Sequence, residues 1–158
     1  LILNNAKKWM LTKKHIAMDK ISIQTDWLEG MAFEAEVNGH KIIIDADEKV
    51  GGNNRGPRPK PLMLVALAGC TGMDVISILK KMREDVKNFR VTVEALQTDE
   101  HPKHYVEMKV IYEFWGKNLD PEKVNKAVKL SDERYCGVSA AYKKGMKLTH
   151  EVVIHNEE

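Results

Sequence analysis

Two cysteines are the residues of this chain best suited to chemistry. Cys70 lies in the apolar run Leu62 to Asp74, and Cys136 lies 66 residues later, between Glu133 and Ala140. Neither belongs to a Cys-x-x-Cys pair. Two thiols brought together by folding, one of them in a dry apolar helix, could form a peroxidatic and resolving pair. A thiol reduces a peroxide only as thiolate, and apolar burial holds the thiol protonated. A reactive Cys70 therefore needs a cation. Arg55 and Arg58 precede the apolar run and Lys60 opens it, whereas Arg83, Arg90 and Arg134 are less well placed. Asp74 follows Cys70 by one helical turn on the same face, where its charge opposes a thiolate unless it orients a base. The plainer reading keeps both cysteines as inert core residues, as free cysteines commonly are.

The elements that must position these residues are legible from periodicity. Residues 20–27 alternate Ile21, Ile23, Thr25 and Trp27 with polar residues, and Met31, Phe33, Ala35 and Val37 repeat the pattern. Asn38-Gly39 supplies a type I′ turn into a third strand through Ile42 and Ile44. Residues 47–58, rich in Gly and Asn, read as a loop. Pro59 and Pro61 fit a first helical turn, and a helix apolar nearly all round, as a central buried helix is, runs from Leu62 to about Arg83. Phe89, Val91, Val93 and Ala95 mark a fourth strand, His101-Pro102 a turn, and Val106, Met108, Val110, Tyr112 and Phe114 a fifth. Asp120-Pro121 caps a helix carrying Val124, Ala127 and Val128. A break near Tyr135 precedes a short helix from about Cys136 to Lys144, and Leu148, Val152 and Ile154 form the last strand. The order β-β-β-α-β-β-α-α-β is that of an α+β domain.

Composition narrows the function further. The 158 residues suffice for one domain with a sizeable core, and 30% charged residues is ordinary for a globular protein. The net charge of +2 depends on Lys7, Lys8, Lys13 and Lys14; without them 23 acidic residues face 21 basic ones. Residues 1–17 are expected to be an expression remnant or an extra segment, and 18–158 a single domain. Nothing in that domain marks a nucleic-acid binder. The apolar run is shorter than the roughly 20 residues of a membrane span. Unpaired cysteines and no recognisable leader fit a reducing cytoplasm.

Read together, the two cysteine contexts are more specific. A Gly-rich loop, the stretch Pro59 to Thr71 ending in Ala-Gly-Cys-Thr, and Tyr135 to Ser139 resemble the OsmC/Ohr family, the osmotically induced and organic hydroperoxide resistance proteins. The likeness covers residues 19–155 and is closest to an OsmC-like branch. It implies an OsmC/Ohr-like α+β fold, with antiparallel sheets wrapped around a long central helix that bears Cys70, in an intertwined homodimer. It also implies that Cys70 is the peroxidatic thiol and Cys136 the resolving one, in a peroxiredoxin-type peroxidase. Organic hydroperoxides would be its substrates and an external dithiol its reductant, with no cofactor and no metal. In the family's peroxidases a Pro-Glu step opens the cysteine helix, and an Arg pairs with that Glu and contacts the thiolate. Here Pro59 is followed by Lys60, so Arg55, Arg58 and Lys60 are the candidates for the cation.

Two alternatives use the same residues. His101 and His104 could join the cysteines in a zinc site, but the long gap between the cysteines disfavours it and the histidines fit a turn. The Met-bearing helix (Met63, Met73, Met82) could instead leave space for a hydrophobic ligand in a non-enzymatic OsmC-like binder.

Overall fold

The computed structural model describes residues 19–156. The segment expected to be an expression remnant lies outside the described residues. Three strands, β1 (Thr25–Glu29), β2 (Ala32–Val37) and β3 (His40–Ile44), form an antiparallel meander. Asn38 and Gly39 both take positive φ, 53° and 80°, as the tight β2–β3 turn requires. Trp27 pairs with Phe33, and Phe33 with Ile44, so one face of this sheet is apolar. That face is open: Trp27 is 64% and Phe33 38% exposed. The first strand starts later than periodicity indicates, and Ile21 and Ile23 are exposed ahead of it.

The loop that follows is held by one buried carboxylate. Asp45 accepts the backbone N–H groups of Ala46, Asn53 and Arg55 at 2.7, 3.0 and 3.1 Å. These bonds, that from Arg55 foremost, lower its pKa. Gly56 approaches the Ile43 carbonyl so closely that a Cβ there would lie 2.0 Å from the oxygen. A 3₁₀ turn at Glu48–Val50 breaks what periodicity leaves as plain loop.

Helix α1 (Leu62–Lys81) follows. Leu67, Thr71, Val75 and Leu79 are buried along one stripe, while Val65 is 63% and Met73 71% exposed. The helix is apolar all round, as its sequence indicates, but only one side of it is buried. It is also long and apolar enough to cross a membrane by length and composition. Its buried stripe packs against the second sheet.

That sheet has the order β4 (Val86–Gln97), β5 (Tyr105–Gly116), β6 (Lys147–Asn156). Met108, Val110, Tyr112 and Phe114 of β5 are buried in alternation, and Phe114 stacks on Phe89 of β4 at 4.6 Å. Strand β6 runs parallel to β5, so this sheet is mixed rather than antiparallel. The reason is the connection: α2 (Pro121–Leu130), a π turn (Ser131–Tyr135) and α3 (Gly137–Tyr142) form a crossover, which returns the chain in the same direction. Asp120 caps α2 by accepting from the Glu122 N–H at 2.9 Å, with Pro121 in its first turn. Val124, Ala127 and Val128 of α2 are fully buried.

Candidate active site

The crossover delivers Cys136 to Cys70. In the π turn the Cys136 N–H donates to the Ser131 carbonyl at 2.9 Å, and the extended backbone at Cys136 then opens α3. Wide turns of this kind are frequent at functional sites. The Cys136 sulfur accepts from the Ser139 N–H at 3.4 Å. The sulfurs of Cys70 and Cys136 and a carboxylate oxygen of Asp74 all lie within 4.8 Å of one another. Cys136 is 2% exposed, whereas Cys70 is half-buried. Folding thus brings together the two thiols that the sequence separates by 66 residues, with the carboxylate one turn along α1.

The electrostatics follow from burial. Desolvation is the largest influence on the Cys70 thiol and pushes its pKa up, and its hydrogen bond with Cys136 pushes it the same way. The Val138 N–H hydrogen-bonds the Cys70 sulfur and pulls the other way. Asp74 adds a smaller upward push.

Each of the three cations expected near Cys70 has another partner in this chain. Arg55 pairs with Glu29 at 3.0 Å. Arg58 bonds Asp47 at 3.3 Å and Asn54 at 2.8 Å. Lys60 donates to Gln97 at 2.6 Å and lies over the Tyr105 ring. His101 and His104 line the β4–β5 turn, where the His104 ring bonds the Pro102 carbonyl.

A buried hydroxyl chain completes the site. Tyr112 and Thr71 are 2.6 Å apart, Thr71 and Ser131 2.8 Å, and Ser131 donates to Asp74 at 3.1 Å. An ionised carboxylate only accepts, so Ser131 spends its proton on Asp74 and takes one from Thr71, which in turn takes one from Tyr112. Burial pushes the Tyr112 phenol up to about 12. Sequence reasoning singled out Asp74 but missed its partners. The signals were present: Ser131 continues the Val124, Ala127, Val128 face, and Tyr112 shares the inward face of β5. Beside Asp74 a groove of about 390 Å³ is lined by Ile78, Met82, Leu130 and Tyr135, with Lys81 at its wall.

The family model for OsmC-like proteins matches residues 51–151, a span that contains both cysteines and the whole hydroxyl chain. The chain belongs to the OsmC-like family. Protein YhfA of Escherichia coli is 33% identical over 125 residues, covering 78% of this chain and 90% of YhfA. A hypothetical protein from Aquifex aeolicus shares the fold with a TM-score of 0.77 and 28% identity, over 89% of this chain and all of that one. An organic hydroperoxide resistance protein OsmC from Legionella pneumophila matches with a TM-score of 0.61 and 14% identity, over 87% of this chain and 98% of that one. On this OsmC-like scaffold the long helix bears Cys70 and the crossover bears Cys136. The two sulfurs lie within 4.8 Å of each other, a spacing consistent with a redox-active thiol pair.

Proposed function

We propose that this OsmC-like protein is a cytoplasmic, homodimeric hydroperoxide reductase that acts on organic hydroperoxides and is recycled by an external dithiol. The observation that carries the reading is the asymmetry of the thiols: a half-buried Cys70 within 4.8 Å of a buried Cys136. A peroxide arriving from solvent meets Cys70 first, which supports Cys70 as the attacking thiol.

Asp74 is placed to accept the Cys70 proton, and the Val138 N–H supports the resulting thiolate. The sulfur attacks the distal peroxide oxygen and the O–O bond breaks. Cys70 becomes sulfenic acid, and the alkoxide leaves as an alcohol with the proton from Asp74. Cys136 then attacks the sulfenic sulfur, forming a disulfide and releasing water. Thiol–disulfide exchange with a dithiol restores both cysteines. The apolar groove beside Asp74 suits the organic part of such a substrate.

The dimer reading rests on uncovered apolar surface. Trp27 and Phe33 on the open face of the β1–β3 sheet and Val65 and Met73 on the open side of α1 are large apolar side chains that a partner protomer would cover. A groove of about 560 Å³ on that sheet, lined by Met31, Phe33, Ile44, Val50 and Pro59, is the observation that favours a hydrophobic-ligand binder instead.

Mass spectrometry after one equivalent of cumene hydroperoxide tests the function. Wild type should lose the mass of two hydrogens, and Cys136→Ser should gain one oxygen on Cys70. An unreacted wild type, or oxidation that starts at Cys136, would exclude the reductase and leave the binder.

A further inference from the structure

The thiol pair has a second property that does not depend on peroxide chemistry. Two sulfurs and a carboxylate oxygen converge within 4.8 Å, and the three cations expected to neutralise them are held by Glu29, Asp47, Asn54 and Gln97. Two sulfur donors and one oxygen donor fill three of the four positions of a tetrahedral site for a borderline-soft divalent cation, with the fourth left to water. At zinc–thiolate bond lengths the two sulfurs would sit about 3.8 Å apart. The observed spacing needs only a small rotation of the side chains to reach that.

The surroundings of the three donors are those of a metal site. Ser131 fixes the Asp74 carboxylate by donating to Oδ2, and Thr71 and Tyr112 fix Ser131 in turn. This is the outer shell that orients a carboxylate ligand. Each sulfur also has a backbone N–H set against it, Ser139 at Cys136 and Val138 at Cys70.

We propose that Cys70, Asp74 and Cys136 bind one thiophilic divalent cation of the Zn²⁺ class when both thiols are reduced, and that oxidation of the pair releases it. Binding displaces the two thiol protons. Oxidation balances as bis-thiolate–Zn²⁺ plus hydroperoxide plus two protons giving disulfide, alcohol, water and free Zn²⁺. Binding stands apart from the reductase reading, and only release by hydroperoxide rests on it. A thiolate shared with a metal is a weaker nucleophile than a free one, so the cation slows the peroxide reaction at the same site until oxidation displaces it.

The test titrates reduced, chelator-treated protein with Zn²⁺ and with Co²⁺. One equivalent of Zn²⁺ should bind in competition with a chromophoric chelator, and Co²⁺ should show thiolate-to-metal charge transfer with tetrahedral d–d bands. Cys70→Ser and Cys136→Ser should each weaken binding at least about 100-fold, and Asp74→Asn about 10- to 100-fold. His101→Ala with His104→Ala should change nothing. Diamide, a thiol oxidant that is not a peroxide, should release the metal completely. Binding without charge transfer, binding that survives Cys70→Ser, binding lost with the histidines, or retention after diamide would each overturn the site. Turnover of cumene hydroperoxide by the metal-free protein is measured separately, so loss of one reading leaves the other standing.

Discussion

The direction of the buried hydroxyl chain makes an unusual demand on a pair of substitutions, Tyr112→Phe and Thr71→Val. With Asp74 ionised, every hydroxyl in the chain donates toward it, so Tyr112 only donates to Thr71. Tyr112→Phe removes that donor and strands no other one: Thr71 keeps its bond to Ser131. The loss is one neutral hydrogen bond, about 0.5–1.5 kcal/mol. Thr71→Val cuts the chain in its middle. It leaves the Tyr112 hydroxyl as a buried orphan donor and Ser131 without its incoming bond, at about 1–3 kcal/mol for each group. Thr71 and Ser131 are fully buried and Tyr112 is 2% exposed, so water has little access to repair the break. The double variant removes the orphaned phenol together with its lost acceptor, and should therefore be more stable than Thr71→Val alone by about 1 kcal/mol. Urea unfolding read at constant m gives all three values. If Tyr112→Phe costs as much as Thr71→Val, or if the double variant is the least stable of the three, the assigned direction of the chain is wrong.

Other perturbations test separate parts of the molecule. Tyr112 has a folded pKa of about 12 against an ordinary 10.0, chiefly because burial penalises the phenolate, so the fold carries no penalty from its ionisation below pH 10. Stability falls by roughly 2–3 kcal/mol between pH 10 and 12, where the unfolded phenol ionises and the folded one does not, and Tyr112→Phe should flatten the alkaline limb of a stability–pH profile. Glu84 has its pKa lowered, chiefly by Lys123 at 2.6 Å, so its support is present above the ordinary carboxylate pKa and fades as pH falls. Because Glu84 also accepts the Asp120 N–H at 2.9 Å, Glu84→Ala should destabilise more than Lys123→Met in acid-to-neutral urea titrations. Asp74→Asn should slow single-turnover oxidation of Cys70 at neutral pH by about 100-fold if the carboxylate takes the thiol proton. A faster reaction would show that its charge acts only by repelling the thiolate.

Much of this fold could be read from the chain because the local signals agreed with one another. Met108, Val110, Tyr112 and Phe114 alternate in sequence and are all buried; Val106, in the same alternation, is exposed near the open start of β5. Asn38-Gly39 and Asp120-Pro121 mark a turn and a helix start by backbone chemistry that tertiary context did not override. The closeness of Cys70 and Cys136 followed from motif order, since no periodicity relates residues so far apart. What stayed hidden depends on long-range placement. The parallel pairing of β6 is set by where the crossover returns, and its strand pattern looks the same in either direction. The 3₁₀ turn and the Asp45 hub lie in a loop whose bonds are between a side chain and backbone, which leave no hydrophobic repeat. The all-apolar sequence of α1 indicates burial on every side, whereas this chain alone covers only one.

The parallel pairing of β5 with β6 also has a consequence for biosynthesis. A hairpin partner can close as soon as it leaves the ribosome, but β6 can pair with β5 only once α2, the π turn and α3 between them have been made. Such non-local pairing forms slowly. Until Lys147–Asn156 emerges and docks, the crossover carrying Cys136 lacks its final anchor, and a nascent chain holds Cys70 without its partner. The two thiols are made at different times: Cys70 is synthesised 66 residues ahead of the partner it meets in the folded chain.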